Sequence, residues 1–261
     1  MIFNLGSRGA GASPQFSFTV NGTTYNFDDS SQTSSENGKY YFYRDAIGWE
    51  FYMLTSGTFN MLTKTVCDLF ICGHGQNGGR GEFNYTSQTI NGTVWYTGTS
   101  CSGGDGGNGG KRLTKKQIAL EGGYSVSVPS GNTSTIFGSY NESSDGYVQS
   151  RSHTNGGYSF DDSSAKGPDG NSRRVGACGG YGGGSTNPHA GYDYGGGDGG
   201  GASGSSAYGG QSGKFYGAGG GGGGAWVVTN SSSNNINNVG GGAGGGTGYR
   251  GFVGIRNARA V

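Results

Sequence analysis

Residues 218–225 read AGGGGGGA, and the Trp226-Val227-Val228 that follows is the material of a packed strand. Glycine buries no side chain and loses more backbone freedom on folding than any other residue, so a solitary run of this kind is a flexible tether. The alternative comes from the same missing side chain, because backbones that carry only hydrogen at Cα can touch. A polyproline II helix has three residues per turn, rises about 3.1 Å per residue and makes no internal hydrogen bonds. When such helices are all glycine and lie side by side, they exchange N–H···O=C bonds and Cα–H···O=C contacts, and the backbone itself becomes the core. Side chains then stand where the runs emerge at the perimeter.

Tether and lattice make different demands on the rest of the chain. Of 261 residues, 62 are glycine and 4 proline, yet 13% are aromatic and the formal net charge is +1. Disorder goes with high net charge and few aromatics, so this composition argues for a folded chain with a conventional core over part of its length. A charge so close to zero argues against nucleic acid or an acidic membrane as an electrostatic partner. No window approaches the ~20 apolar residues of a membrane span. The first residues, MIFNLGSRGAGASPQ, lack a secretory pattern, so synthesis in the cytoplasm without membrane insertion is expected. Cys67, Cys72, Cys101 and Cys178 form no CxxC pair and have no histidine at zinc spacing; they read as buried thiols, with no metal.

Along residues 1–72, FSFTV, KYYFYR, WEFYML, TFNMLT and TVCDLFIC are separated by NG, ENG and SG, the pattern of a β-meander or sandwich. KRLTKKQIAL (111–120) fits a helix or a strand equally. Glycine enters at GHGQNGGRG (73–81) and GGDGGNGG (103–110), and YSVSV (124–128) returns to strand. About every second residue from Cys178 to Gly224 is glycine; GGGAGGG (240–246) and YRGFVGIR close the chain. β structure therefore leads into glycine and resumes after it. The expected fold is all-β, with framework in 16–72, parts of 85–137 and 249–256. Polyglycine II helices are expected at 178–184, 195–201, 217–224 and 240–246, with Trp226 to Val228 anchoring the third on the framework. The strand 252–255 should pair with 66–72. Residues 1–48 read as an N-terminal β or attachment segment and 49–261 as the glycine-rich domain.

Trp49 leading into LTSGTF, then DLFICGHGQNGG, GGDGGNGG, GGYSVSV, AGGGGGGAW and finally GGGTGYRGFVGIR occur in the order found in the glycine-rich domain of phage tail-fibre and tail-associated proteins. The chain resembles that family over roughly 49–256 and is similar to its tail-fibre tip adhesins. The resemblance implies a jelly-roll-like or sandwich framework with an inserted polyglycine II bundle, in a phage virion protein. His74, Gln76 and Asn77 read as interruptions of the first run.

No enzyme signature stands out. None of the G-x-G-x-x-G matches follows a strand and opens a helix, and Gly110-Lys111 and Gly213-Lys214 lack the rest of a phosphate loop. His74, His153 and His189 sit in no nucleophile motif, and nothing positions Asp161 and Asp162 for glycan hydrolysis. YNFDDSS (25–31) and YSFDDSS (158–164) echo each other and read as a pair of turns, with cation or sugar ligation as the alternative. Between glycine runs the loops are rich in Tyr, Ser, Asn and Gly, the composition of antibody paratopes. With the resemblance, this gives a tail-fibre or tail-tip adhesin recognising a bacterial surface carbohydrate, without cofactor, on the virion and in contact with other virion proteins, in a homo-oligomer such as a trimer. Tyr181, Tyr192, Tyr194, Tyr208 and Tyr216 are its candidate contact residues. The alternative is a structural virion protein, a head-fibre, decoration or tail cap subunit.

Overall fold

The computed structural model describes residues 15–28, 30–131, 133–142, 156–171, 174–184, 187–188, 191, 195–229 and 231–257. Its strands are β1 Phe16–Val20, β2 Thr23–Phe27, β3 Ser34–Glu36, β4 Tyr40–Asp45, β5 Gly48–Met53, β6 Gly57–Cys72, β7 Glu82–Ile90, β8 Thr93–Ser102, β9 Arg112–Ser127 and β10 Thr135–Phe137. They continue with β11 Tyr140–Glu142, β12 Gly157–Tyr158, β13 Arg174–Val175, β14 Ala202–Ser203, β15 Ser206–Ala207, β16 Ala225–Val227, β17 Ser232–Ser233, β18 Gly240–Gly242 and β19 Phe252–Asn257. The fold is nearly all β, with antiparallel sheets.

The main sheet has the order β11-β10-β9-β6-β19-β5-β4-β3, with β1 joined to β6 and β2 to β1. Long β6 organises it. Register shifts between Met61 and Thr65 divide this strand: its first half pairs with β1, its second half with β19, and β9 accompanies both. The sheet curls accordingly, and its two arms meet through aromatic rings. Phe16 packs on Phe42 at 6.2 Å between centroids, Phe18 on Phe51 at 5.7 Å and Phe27 on Phe51 at 4.9 Å. Alternation in FSFTV puts Phe16, Phe18 and Val20 inward, each fully buried aromatic contributing about 1.5–3 kcal/mol.

Several expectations are met here and others corrected. β19 pairs with β6 as anticipated, and its register places Phe252 opposite Cys72 and Val253 opposite Ile71. The ambiguous 111–120 segment belongs to β9, since its side chains alternate against β6 instead of forming a helical face. Residues 16–45 are strands of the same sheet as 49–72, so the expected boundary after residue 48 falls inside the β4–β5 hairpin. Cys67, Cys72 and Cys178 are buried and Cys101 partly so, all as free thiols; burial, then the Asp68 charge, pushes the Cys67 thiol up to about 12.

The other face of β5, β6 and β19 carries a second cluster, in which Tyr52, Phe70 and Phe252 meet Phe160, Phe215 and Tyr216. Beside it lies Arg256, 3% exposed, with Nε donating to Asp68 Oδ2 at 3.0 Å and Nη1 to Asp162 Oδ2 at 2.8 Å. Glu50 completes the group at 3.9 Å, its Oε2 accepting from the Tyr52 hydroxyl and the Lys166 amide at 2.8 Å each. The first aspartate of one FDDSS segment and the second of the other make the bond of a turn: Asp28 Oδ1 accepts from the Ser30 amide at 2.7 Å and Asp162 Oδ1 from that of Ser164 at 2.9 Å. Asp162 also holds Arg256, which uses its second oxygen.

Between this sheet and the far end of the molecule lie seven glycine-rich runs: 73–81, 103–110, 176–184, 195–201, 208–214, 217–225 and 242–251. Run 217–225 is bonded to each of the other six. The amides of Gly219 and Gly222 donate to the carbonyls of Ala177 and Gly180, those of Gly220 and Gly223 to Gln76 and Gly79, and those of Gly221 and Gly224 to Gln211 and Tyr208. Its carbonyls accept in the same rhythm. Gly107 and Gly104 donate to Gly220 and Gly223, Gly197 and Gly200 to Gly219 and Gly222, Gly246 and Ala243 to Gly221 and Gly224. Donor and acceptor neighbours therefore alternate around the central run. The outer six are bonded in a closed ring, for example Gly79 to Asp105, Gly179 to Gly107, Gly180 to Gly197, Gln211 to Asp198, Gly213 to Thr247 and Gly78 to Gly246.

This arrangement explains AGGGGGGA. A Cβ added at Gly219, Gly220 or Gly221 comes within 3.0 Å of the carbonyl of Gly107, Gly246 or Asp198 respectively, and the next three glycines repeat the series with Gly104, Ala243 and Gly201. Three successive residues face three different neighbours, so no position tolerates a side chain. An outer run has one face free, and larger residues recur there every third position: Asn77 and Arg80, Asp105 and Asn108, Tyr208 and Gln211. His74 and Asn77 thus continue the first run; they do not interrupt it. Gln76 faces run 103–110, where its side-chain oxygen accepts from Asn108 Nδ2 at 2.9 Å.

Candidate functional site

Hydrogen-bond pairing sets the direction of each run. Runs 73–81, 176–184, 195–201 and 217–225 lead away from the main sheet, and the other three return to it. Their distal ends carry the hairpin β7–β8, the hairpin β14–β15 and the segment 225–242. Six glycines therefore end at the tip and not on the main sheet. Trp226 and Val227 of β16 pair with Gly241 and Gly240 of β18, so the expected anchoring of Trp226 to the framework is corrected. The attachment to the main sheet is at the opposite end, through Phe215 and Tyr216.

β7–β8 stands out from the tip. Asn91 and Gly92 both have positive φ, 48° and 76°, the two-residue turn that matches strand twist, and the sequence around it alternates as a hairpin should. Almost every β7 side chain is exposed, with Tyr85, Ile90 and Val94 between 41% and 47%. Tyr85 stands edge-on to Tyr96 at 5.4 Å and lies 5.9 Å from Phe83. At its base, Phe83 lies against Gly240 and Gly98 is covered by Val227. β17 pairs with Tyr96 and Thr97 of β8.

Where the runs end, β8, β14 and β16 enclose a cleft of about 540 Å³. Thr99, Ser100, Ser203 and Thr229 supply hydroxyls, Trp226 an indole and Cys101 a thiol that partial burial pushes up; none of the described lining residues is charged. Uncharged hydroxyls beside an aromatic ring suit a neutral polyol, which offers donors and acceptors along its edges and apolar C–H faces to a ring. Among the described residues no three His, Cys, Asp or Glu side chains converge as a metal site requires.

The candidate tyrosines do not form one site. Tyr208 is 56% exposed at the distal end of run 208–214. Tyr181 is half-buried on run 176–184, and Tyr192 and Tyr194 lie outside the described residues. Tyr216 is 9% exposed and sits at the opposite end, edge-on to Phe215, Tyr249 and Phe252, where burial pushes its phenol up. It is a joint between sheet and glycine, because it falls at the turn that feeds the central run. The tip also carries Tyr85, Trp95 and Tyr96, which lie outside the expected contact set and whose signal in the sequence is the alternation around Asn91-Gly92.

No protein-family model matches the chain, and comparisons with curated proteins and with solved structures yield no match.

Proposed function

We propose that this chain is a phage virion protein, a tail-fibre or tail-tip adhesin that binds a neutral carbohydrate on the bacterial surface through its distal tip. The seven runs are polyglycine II helices, inserted as a bundle into a jelly-roll-like framework. Three-residue spacing of their hydrogen bonds supports that reading, since three residues make one turn of such a helix. The hydroxyl-lined cleft beside Trp226, at the end of the molecule that also exposes Tyr85 and Tyr208, supports the functional one. A floor made of closely bonded backbone loses little conformational entropy on binding, which favours weak polar ligands.

The structural alternative, a head-fibre, decoration or tail cap subunit, draws on the other pole. On the main sheet and its turns Ile47, Leu62 and Val66 are 65%, 47% and 50% exposed. Such a surface suits attachment to other virion proteins under either reading.

The tip reading is tested with Tyr85→Ala/Tyr208→Ala. Each ring contributes about 1 kcal/mol to a sugar contact, so the double variant should bind host cells about thirtyfold more weakly. Both residues are exposed, and the Tm should stay within about 2 °C. Single sites are weak, so fluorescent protein is presented on a multivalent carrier. Undiminished staining by the double variant contradicts the tip. No staining by the parent, with normal adsorption of particles lacking the protein, favours the structural alternative.

A further inference from the structure

The ring of outer runs has grooves on its outside, and the chain's own residues enter some of them. Asn77 Oδ1 accepts from the Gly248 amide at 3.0 Å and Arg80 reaches the Gly242 carbonyl at 3.3 Å, covering the groove between runs 73–81 and 242–251. Run 195–201 is glycine except for Asp198, and Pro188 and Gly191 of the same chain meet it from outside. Pro188 lies against Gly201, Gly191 against the Gly196 carbonyl, and the Gly191 amide donates to Asp198 Oδ1 at 2.7 Å. Backbone therefore approaches the outer surface of the lattice closely where it carries glycine, as Gly191 does.

The groove between runs 208–214 and 242–251 has the same character and is open. Its walls are Gly209 and Ser212 on one side and Gly244 and Thr247 on the other, all exposed, with the two hydroxyls bonded across at 2.9 Å. A Cβ added at Gly244 meets nothing within 4 Å. The amides of Gly210 and Gly213 are used within the lattice, whereas those of Gly209, Ser212, Gly244 and Thr247 have no partner among the described residues. In the interior, amides at the same three-residue spacing between small residues donate to the carbonyls of neighbouring runs and hold them together.

We propose that this groove docks one further extended strand, with glycine at every third position, supplied by a partner protein. Three residues per turn bring one residue in three against the walls, and glycine there lets the strand's carbonyls reach the free amides. Proline elsewhere in the strand lowers its ordering cost.

The probe is an end-blocked Pro-Gly-Gly repeat of about six residues, ~19 Å long in this conformation and matched to the groove. Titrated into the full chain and followed by amide NMR, it should shift Gly209, Ser212, Gly244 and Thr247 saturably, with a Kd of about 1 mM for so few bonds. Gly244→Val fills the groove from a position with free space, so it should leave the Tm within about 2 °C and weaken binding at least tenfold. Absence of shifts at about 10 mM peptide, several times the expected Kd, overturns the proposal, as does equal binding by Gly244→Val. So does a dimer of the protein alone that Gly244→Val dissolves, which would make a second copy the occupant.

Discussion

Gly221→Ala should lower the Tm by about 6–12 °C, corresponding to about 3 kcal/mol, whereas Gly244→Ala should leave it unchanged or raise it slightly. The two positions differ only in where they face. At Gly221 a methyl group comes within 3.0 Å of the Asp198 carbonyl, and at Gly244 it enters open space. Relief at Gly221 requires run 195–201 to move away, which lengthens the bonds from Gly197 to Gly219 and from Gly200 to Gly222. Backbone groups left unpaired inside the bundle have no water to turn to. If the run were a tether, both substitutions would only stiffen the unfolded chain, stabilising by about 0.4–1 kcal/mol. Paired thermal melts separate the cases.

Arg256→Met should cost about 3–5 kcal/mol, a fall of about 10 °C or more in Tm, because it leaves Asp68 and Glu50 buried without their cation. Its pH dependence is also defined. Partial desolvation raises the Asp162 pKa, but the hydrogen bond from Arg256, those from Ser164 and the guanidinium charge outweigh it and hold the carboxyl at about 2, below its ordinary 3.8. A depressed carboxylate stabilises the fold above pH 3.8, and that stability is lost as the pH falls from about 4 to about 2. Asp162 keeps 30% of its side chain exposed, so solvent screening limits the loss to about 1–2 kcal/mol. Melts between pH 2 and 6 should show this step in the parent chain and lose it in Arg256→Met. An unchanged acid limb in the variant would remove Arg256 from its origin.

Much of the β framework was legible because its signals are local or obey a simple period. FSFTV and KYYFYR alternate as strands do, and the closing Phe252–Ile255 segment had to cover the edge of 66–72 to bury both. The glycine runs were legible as stretches of sequence but not in number, and Gly240–Gly242, expected as glycine helix, is strand β18. A search for unbroken glycine passes over GHGQNGGRG, although Asn77 and Arg80 recur at the interval that one free face in three demands. AGGGGGGA carries no residue larger than alanine at any position, and this is the mark of the central position. The end on which each run is anchored is not encoded locally. Trp226 looks like framework and lies at the tip, while Phe215-Tyr216 looks like a loop and is the joint. Exposure of tyrosines is likewise a property of the whole bundle, which buries Tyr216 and presents Tyr208 with the same neighbouring glycines in sequence.

Amide hydrogen exchange at Gly219 to Gly224 tests the glycine core most directly. All six amides donate to carbonyls of neighbouring runs, and no side chain shields them. As the centre of a backbone lattice they should exchange as slowly as Phe70 and Val253 in the main sheet, opening only with global unfolding. Exchange at the rate of an unstructured glycine peptide, with the sheet still protected, would show a tether in place of a core.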